Sequence, residues 1–383
     1  MRAIDLRTDE SIVIVGALDA DVTDTGISPR RLPAWTRAQL PDVLVDAVVA
    51  MTSGVRLSFR TTSSTVELDM KLATFRYTHE EPRPVVVQLI VDRGEPIDAS
   101  TTDADLFVID RTRPDEITFE PGGVATLRFE GLGEHDKQCE IWLPHASSVE
   151  LRGLRIEADS SLSEPDEPDR PRWLHYGSSI SHCLEADVPT GTWPAVAARA
   201  GGVELHSLGL AGQAMLDQFV ARTIRDIRAD LISLKVGINI VNGDTMRERA
   251  FGPAVHGFLD TVRDGHPTTP ILLVSPIVCP MAEDHPGPTL PAKDGKFVVM
   301  TGPPEIRVGC LTLVRIRELL AGIVESRRGL GDTNLHYLDG LTLFGTDDVD
   351  LLGDGLHPNA AGYRLIGARF AEAAFAAGGP LAG

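Results

Sequence analysis

Arg172-Trp-Leu-His-Tyr-Gly-Ser-Ser-Ile-Ser181 is a short apolar run that breaks at a glycine into three serines within four residues. A run too short for a helix and closed at once by a turn reads as a buried strand. The rhythm repeats downstream, with strands expected at 173–176, 203–208, 231–236, 271–274 and 335–338. Between and after them, helical periodicity predicts helices at 193–200, 214–228, 249–264, 311–328 and 358–375, the last with Pro358 in its first turn. The alternation predicts an α/β domain, a three-layer α/β/α arrangement around a five-stranded parallel sheet. Ligands of such sheets sit beyond the carboxyl ends of the strands, so the residues after each strand are where chemistry is sought.

Upstream the period changes from helical to two. Val55-Arg-Leu-Ser-Phe59, Val66-Glu-Leu-Asp-Met-Lys-Leu72, Ala125-Thr-Leu-Arg-Phe129 and Val149-Glu-Leu-Arg152 alternate apolar with polar, as strands with one wet face do. Turn residues at Asp92-Arg-Gly94 and Pro121-Gly-Gly123 separate such segments. Residues 1–158 are therefore expected to form an antiparallel, jelly-roll-like β-sandwich. The polar, proline-bearing stretch 159–171 reads as a linker, and 172–383 as a catalytic domain.

Composition narrows the function. Apolar residues make up 43% and charged residues 24%, and no apolar window is long enough to span a bilayer, which predicts a globular protein that makes no use of a membrane. With 55 acidic against 36 basic side chains the formal charge is −19, which opposes a phosphate backbone, so no nucleic-acid partner is expected. The start of the chain lacks a basic segment followed by an apolar core, and a cytoplasmic location is expected. Cys139, Cys183, Cys279 and Cys310 are scattered and read as ordinary thiols. Neither they nor the histidines have metal-ligand spacing, so no metal is expected.

The turns after the strands carry the chemistry. Gly177-Ser-Ser-Ile-Ser181 presents hydroxyls at the first strand end, although serines there also serve as caps and turn formers. Leu208-Gly-Leu-Ala-Gly212 lets backbone N–H groups approach a ligand oxygen, or is a plain strand-to-helix turn. Lys235-Val-Gly-Ile-Asn239 places an amide at the same rim, where asparagine is also a common turn residue. Gly353-Asp-Gly-Leu-His-Pro358 offers a carboxylate and an imidazole three residues apart. Taken singly each is weak, but together they supply the nucleophile, oxyanion donors, base and base-orienter that acyl transfer requires.

At these residues the sequence resembles the SGNH, or GDSL-type, serine hydrolase family, over roughly 172–376. The resemblance implies Ser179 as nucleophile, His357 as base and Asp354 as its orienter. The oxyanion would be held by the Ser179 and Gly209 N–H groups and the Asn239 side chain. Two positions depart from the family pattern: Ser178 stands where an aspartate is usual, and Ile240 follows Asn239 where many members have an aspartate.

The implied reaction proceeds through an acyl-serine and needs no cofactor. Its partners are a small-molecule acyl donor, with acyl-CoA as a candidate co-substrate, and a hydroxyl acceptor. The pairing of a sandwich with this catalytic domain resembles carbohydrate esterases and also biosynthetic acyltransferases. Transfer of an aromatic acyl group from a thioester to a polycyclic or natural-product hydroxyl is the favoured expectation. Ester hydrolysis, of the carbohydrate-deacetylase or small-ester kind, is the alternative, and a non-catalytic carbohydrate-binding protein is a second. The sandwich is expected to shape the acceptor pocket, and the long proline-rich stretch 275–309 to act as a lid or binding wall rather than a solvated insertion. Trp173 and Trp193 read as core residues, and Arg247 and Arg249 as solvated charges.

Overall fold

The structure is a computed structural model that describes residues 1–78, 81, 83–110, 113–292 and 294–382. Lys293, within the 275–309 stretch, and the terminal Gly383 lie outside the described residues. The chain divides into two compact units: 1–169 together with 187–190, and 170–186 together with 191–383.

The first unit is built from two sheets of eight and six strands. Alternation dictates which face is buried. Along Thr65–Tyr77, Val66, Leu68, Met70 and Leu72 are fully buried, while Glu67 and Asp69 between them take up Arg155 on the neighbouring strand. That neighbour, Ser148–Ile156, carries a bulge: Leu151 lies opposite Met70 and Gly153 opposite Asp69, leaving Arg152 as the extra residue. The bulge moves the inward positions from Val149 and Leu151 to Leu154 and Ile156, all of them buried. The ladders are antiparallel except for Thr65–Tyr77 with Asp105–Asp110, which run parallel because the intervening strands Val85–Val91 and Ile97–Thr101 belong to the other sheet. The buried Gln88 is satisfied at both ends of its amide, donating to Asp98 and accepting from the N–H and hydroxyl of Thr190.

The polar stretch 159–171 is not free chain. Leu162–Ser163 pair with Thr61 and Arg60, Thr61 donates its hydroxyl to the Ser161 carbonyl at 2.7 Å, and the Asp166 N–H donates to Gln138. Proline and charge made it look like a linker, but its backbone is spent on the edge of a sheet, and the first unit runs on to Asp169.

The second unit is an α/β domain. Its parallel sheet comprises β1 (Arg172–Gly177), β2 (Glu204–Gly209), β3 (Leu231–Lys235), β4 (Ile271–Val274) and β5 (Leu335–Leu338), in the order β2-β1-β3-β4-β5. The helices are α1 (Ser179–His182), α2 (Trp193–Gly201), α3 (Gln218–Asp226), α4 (Ile238–Gly243), α5 (Glu248–Gly265), α6 (Leu313–Gly329) and α7 (Ala360–Phe370). The chain leaves β1 in one direction for β2 and then crosses back to β3, so the carboxyl ends of β1 and β3 flank the switch point where this class of sheet opens a crevice.

Two helices differ from the sequence expectation for local reasons. The 214–228 segment becomes helical only at Gln218, because Ala214 gives its N–H to the Asn239 side chain and Leu216 adopts a left-handed backbone with φ 62°. The last helix starts at Ala360, with Pro358 outside it and Asn359 as the cap that accepts the Gly362 N–H at 3.0 Å. Among the described residues no helix is long and apolar enough to cross a membrane.

Trp173 and Trp193 are fully buried, as expected of core residues. Trp173 stacks on Phe370 at 5.1 Å and meets Phe375 edge-on at 5.0 Å, while its indole N–H donates to Ser233 at 2.9 Å. This cluster fixes β1, and with it the turn that follows. Trp173→Ala is expected to cost roughly 3–5 kcal/mol of stability, read as a lower midpoint in chemical denaturation.

Candidate active site

Three serines follow β1, and the structure sorts them by what each is bonded to. Gly177 makes the turn possible, because a Cβ there would run into the Ser181 side chain. Ser178, fully buried, caps α1 by accepting the Ile180 N–H at 3.3 Å, so the serine in the family's usual aspartate position retains a capping oxygen. Ser181 is also fully buried and ends a hydrogen-bonded chain from Trp173 through Ser233 and His175, with His175 Nδ1 2.7 Å from Ser233 Oγ and Nε2 2.8 Å from Ser181 Oγ. Burial pushes the His175 imidazole down to about 3, so it stays neutral and acts as a structural bridge. Ser179 alone of the three is not fully buried. Its hydroxyl lies 3.0 Å from His357 Nε2.

The histidine is presented by the 353–358 loop. Asp354 Oδ1 accepts the backbone N–H groups of Leu356 and His357 at 2.9 and 2.7 Å, which folds the loop around the carboxylate. Its other oxygen, Oδ2, accepts from His357 Nδ1 at 2.7 Å, and this leaves Nε2 free to accept the Ser179 proton. Burial lowers the affinity of His357 for a proton, but the carboxylates of Glu185 and Asp354 outweigh it and hold the imidazole above its ordinary value. Asp354 itself is raised by burial and lowered further by His357, for a net shift below the usual carboxylate range.

Two of the three expected oxyanion donors stand at the ends of the flanking strands. Asn239, in α4 beyond β3, accepts the Ala214 N–H on Oδ1 at 2.9 Å, which fixes the amide plane with Nδ2 as the remaining donor. Ile240 is fully buried beside it, so the usual aspartate position is here a packing position. Gly209 ends β2 so close to α1 that a Cβ would lie 2.6 Å from the His182 nitrogen. Its N–H makes a long bond of 3.4 Å to Ser207 Oγ.

Two residues that the sequence reading did not single out touch His357. Glu185 Oε1 is 3.7 Å from Nδ1, and Phe297 sets its ring edge-on to the imidazole with centroids 5.6 Å apart. Phe297 comes from the 275–309 stretch, which carries a hairpin, Thr289–Pro291 with Phe297–Val299, and is tied to the histidine loop by the Phe297 N–H donating to the Asp354 carbonyl at 3.2 Å. The start of that stretch is core rather than lid: Ile277, Val278, Cys279 and Ala282 are buried, and Arg317 bonds the Pro276 and Ile277 carbonyls as well as Glu283. Arg247 is not merely solvated, since it donates to the Ile306 and Val308 carbonyls at the far end; Arg249 is exposed. Neither Glu185 nor Phe297 had a sequence signal, because an aromatic in a loop and a glutamate after a turn are ordinary until the fold brings them together. Among the described residues, Glu185, Asp354 and His357 are the one set of side chains close enough to share a cation, with donor atoms within 4.8 Å. His357 Nδ1 and Asp354 Oδ2 are already bonded to each other.

In overall structure the chain is similar to the "Salicylyl-Acyltransferase SsfX3 from a Tetracycline Biosynthetic Pathway", with 30% identity over 96% of this chain and 95% of that one and a TM-score of 0.79. Residues 175–365 match the GDSL-like lipase/acylhydrolase family, and residues 12–152 match the SsfX3 N-terminal domain. The chain belongs to the GDSL-like lipase/acylhydrolase family. It is an SGNH-type serine acyltransferase or esterase. A candidate GDSL-like lipase from Bacteroides ovatus shares the fold at 20% identity, over 94% of both chains, with a TM-score of 0.67. So does a family two carbohydrate esterase from Cellvibrio japonicus, at 14% identity over 97% of this chain and 96% of that one, with a TM-score of 0.58. No curated protein matches in sequence.

Two outcomes follow for a GDSL-type site of this geometry. Ser179→Ala should abolish labelling by a fluorophosphonate, whereas Ser178→Ala should keep it and lose about 1 kcal/mol with the cap. Labelling that follows Ser178 would move the nucleophile. Attack requires a neutral imidazole, so with His357 held above 6.5 the acylation rate should rise with pH and reach half its plateau above that value, measured with an activated ester.

Proposed function

We propose that the protein transfers an acyl group, aromatic in the favoured case, from a thioester such as acyl-CoA to a hydroxyl of a small polycyclic acceptor through an acyl-Ser179 intermediate. The observation that carries the chemistry is the Ser179 Oγ to His357 Nε2 distance of 3.0 Å, backed by Asp354 at 2.7 Å. The similarity to a salicylyl acyltransferase at 30% identity supports transfer over hydrolysis.

In the first half-reaction His357 takes the Ser179 proton as Oγ attacks the thioester carbonyl. The oxyanion is received by the Ser179 and Gly209 N–H groups and the Asn239 amide, each donor typically worth about 3–4 kcal/mol. Collapse expels the thiol, which leaves with the proton from His357. In the second half the acceptor hydroxyl gives its proton to His357 and attacks the acyl carbon. The ester departs and the proton returns to Ser179. Every proton is carried by the imidazole, so no cofactor takes part in this reading.

Water competes in the second half. An acceptor wins only if it is held against the acyl carbon at high effective concentration while water is kept out. The His357 side chain is 12% exposed, and Phe297 covers part of its ring, which supports a site with restricted water access.

The test gives the enzyme an aryl thioester with and without a polycyclic hydroxylated acceptor and follows free acid against ester. Acceptor-dependent ester formation is expected. Rapid release of acid that no acceptor diverts would establish hydrolysis instead, and a wild-type protein that takes no fluorophosphonate on Ser179 would point to a binding role. Asn239→Ala is expected to slow acylation by about a hundredfold or more with the fold intact, and an unchanged rate would remove it from the site.

A further inference from the structure

His357 faces two carboxylates, only one of which the triad uses. Glu185 follows α1 through a tight turn: Cys183 adopts φ 62° and its carbonyl accepts the Ala186 N–H at 3.0 Å, bringing the chain back toward the 353–358 loop. Glu185 Oε1 then lies 3.7 Å from His357 Nδ1, and Oε2 accepts the Tyr363 hydroxyl at 2.6 Å. Tyr363 is fully buried in α7, and burial together with the Glu185 charge raises its hydroxyl well above the ordinary value, so it remains a donor across the working pH range. A long, one-third-exposed glutamate is thus held in place by a rigid phenol.

We propose, resting on the acyl-Ser179 reading, that Glu185 is a positioning residue for the acyl-transfer step, a second carboxylate that stabilises the His357 imidazolium by charge while Tyr363 fixes its reach. Asp354 occupies the Nδ1 hydrogen bond at 2.7 Å, so Glu185 acts across 3.7 Å without replacing it. The division of labour follows: Asp354 sets tautomer and orientation, and Glu185 adds negative potential where positive charge develops as Ser179 gives up its proton. Among the described residues, the titratable groups around this pair include the buried Lys235, pushed down to about 7 by burial, which interacts with Cys183. Asp354 shares the histidine's loop, Tyr363 comes from α7, the buried thiol of Cys183 interacts electrostatically with Glu185, and that of Cys279, at the start of the 275–309 stretch, with Asp354. Burial raises both thiols, to about 12 for Cys279, so neither changes charge in the range where His357 titrates.

The sign is fixed by the chemistry. A nearby anion favours the protonated imidazole, so its removal must lower the pH at which the base becomes available and weaken the base once it is. The experiment measures the acylation rate of the full chain against pH, using an activated ester, for wild type, Glu185→Gln and Tyr363→Phe. Glu185→Gln should move the half-rise to lower pH by about half a unit or more and lower the high-pH plateau about threefold to tenfold, and the difference should narrow as salt is added. Tyr363→Phe, which keeps the ring, should move both in the same direction by less, and it reads the same contact should Glu185→Gln fail to fold. Wild-type labelling of Ser179 by a fluorophosphonate is the control that tests the acyl-enzyme reading by itself. If labelling is intact but both variants keep the wild-type half-rise and plateau, Glu185 has no part in the reaction and the proposal falls.

Discussion

The contact between Ser179 and His357 joins residues 178 positions apart in the chain, and the second unit is arranged around holding it. A proton can pass directly from Oγ to Nε2 only within hydrogen-bond reach, so each end has to be placed by something stiffer than a loop. The serine end is fixed by the stacked Trp173, the buried chain through Ser233 and His175 to Ser181, and the cap supplied by Ser178. The histidine end is fixed by Asp354, which binds two backbone N–H groups with one oxygen and the imidazole with the other. Neither arrangement uses the same residues as the other, yet both converge on one rim of the sheet.

The parallel strands were legible because they are short apolar runs closed by turns, and the buried faces of Ala125–Glu130 and of residues 66–72 because their alternation is strict. Ser179, Gly209, Asn239, Asp354 and His357 could be singled out because each follows a readable strand or sits in a glycine-bounded turn. What hid the rest was the absence of any local signal. Val43–Ala50 is a valine-rich helix whose weak propensity is overridden by burial of Val45, Val48 and Val49 on one face. The first residues of the 275–309 stretch read as loop because prolines interrupt their periodicity, although they pack as core against a buried Arg317. Glu185 and Phe297 acquire meaning only from their distance to His357, which no one-dimensional pattern encodes.

Where a site carries one base and two carboxylates, the base is tuned for strength as much as for direction. In the acyl transfer proposed above, the same imidazole would serve both half-reactions, taking the proton of Ser179 in the first and that of the acceptor hydroxyl in the second. Water would compete in the second of these, so Glu185 beside the base and Phe297 over part of its ring would bear on the same partition. Strength alone would activate water equally; cover and acceptor binding are what discriminate.

The proposed oxyanion donors are held in a comparable way. Asn239 is locked by its carbonyl oxygen accepting the Ala214 N–H, which leaves its amide donor for the proposed oxyanion role. Gly209 has no side chain to keep it from α1, and its N–H donates to Ser207 Oγ at 3.4 Å. A bond that long to a neutral hydroxyl is weak beside one to a full negative charge. In the oxyanion hole proposed above, an N–H would gain more from the developing negative charge than from a neutral hydroxyl. Stabilisation of that kind favours the transition state over the bound ester, which is the condition for faster acylation rather than merely tighter binding.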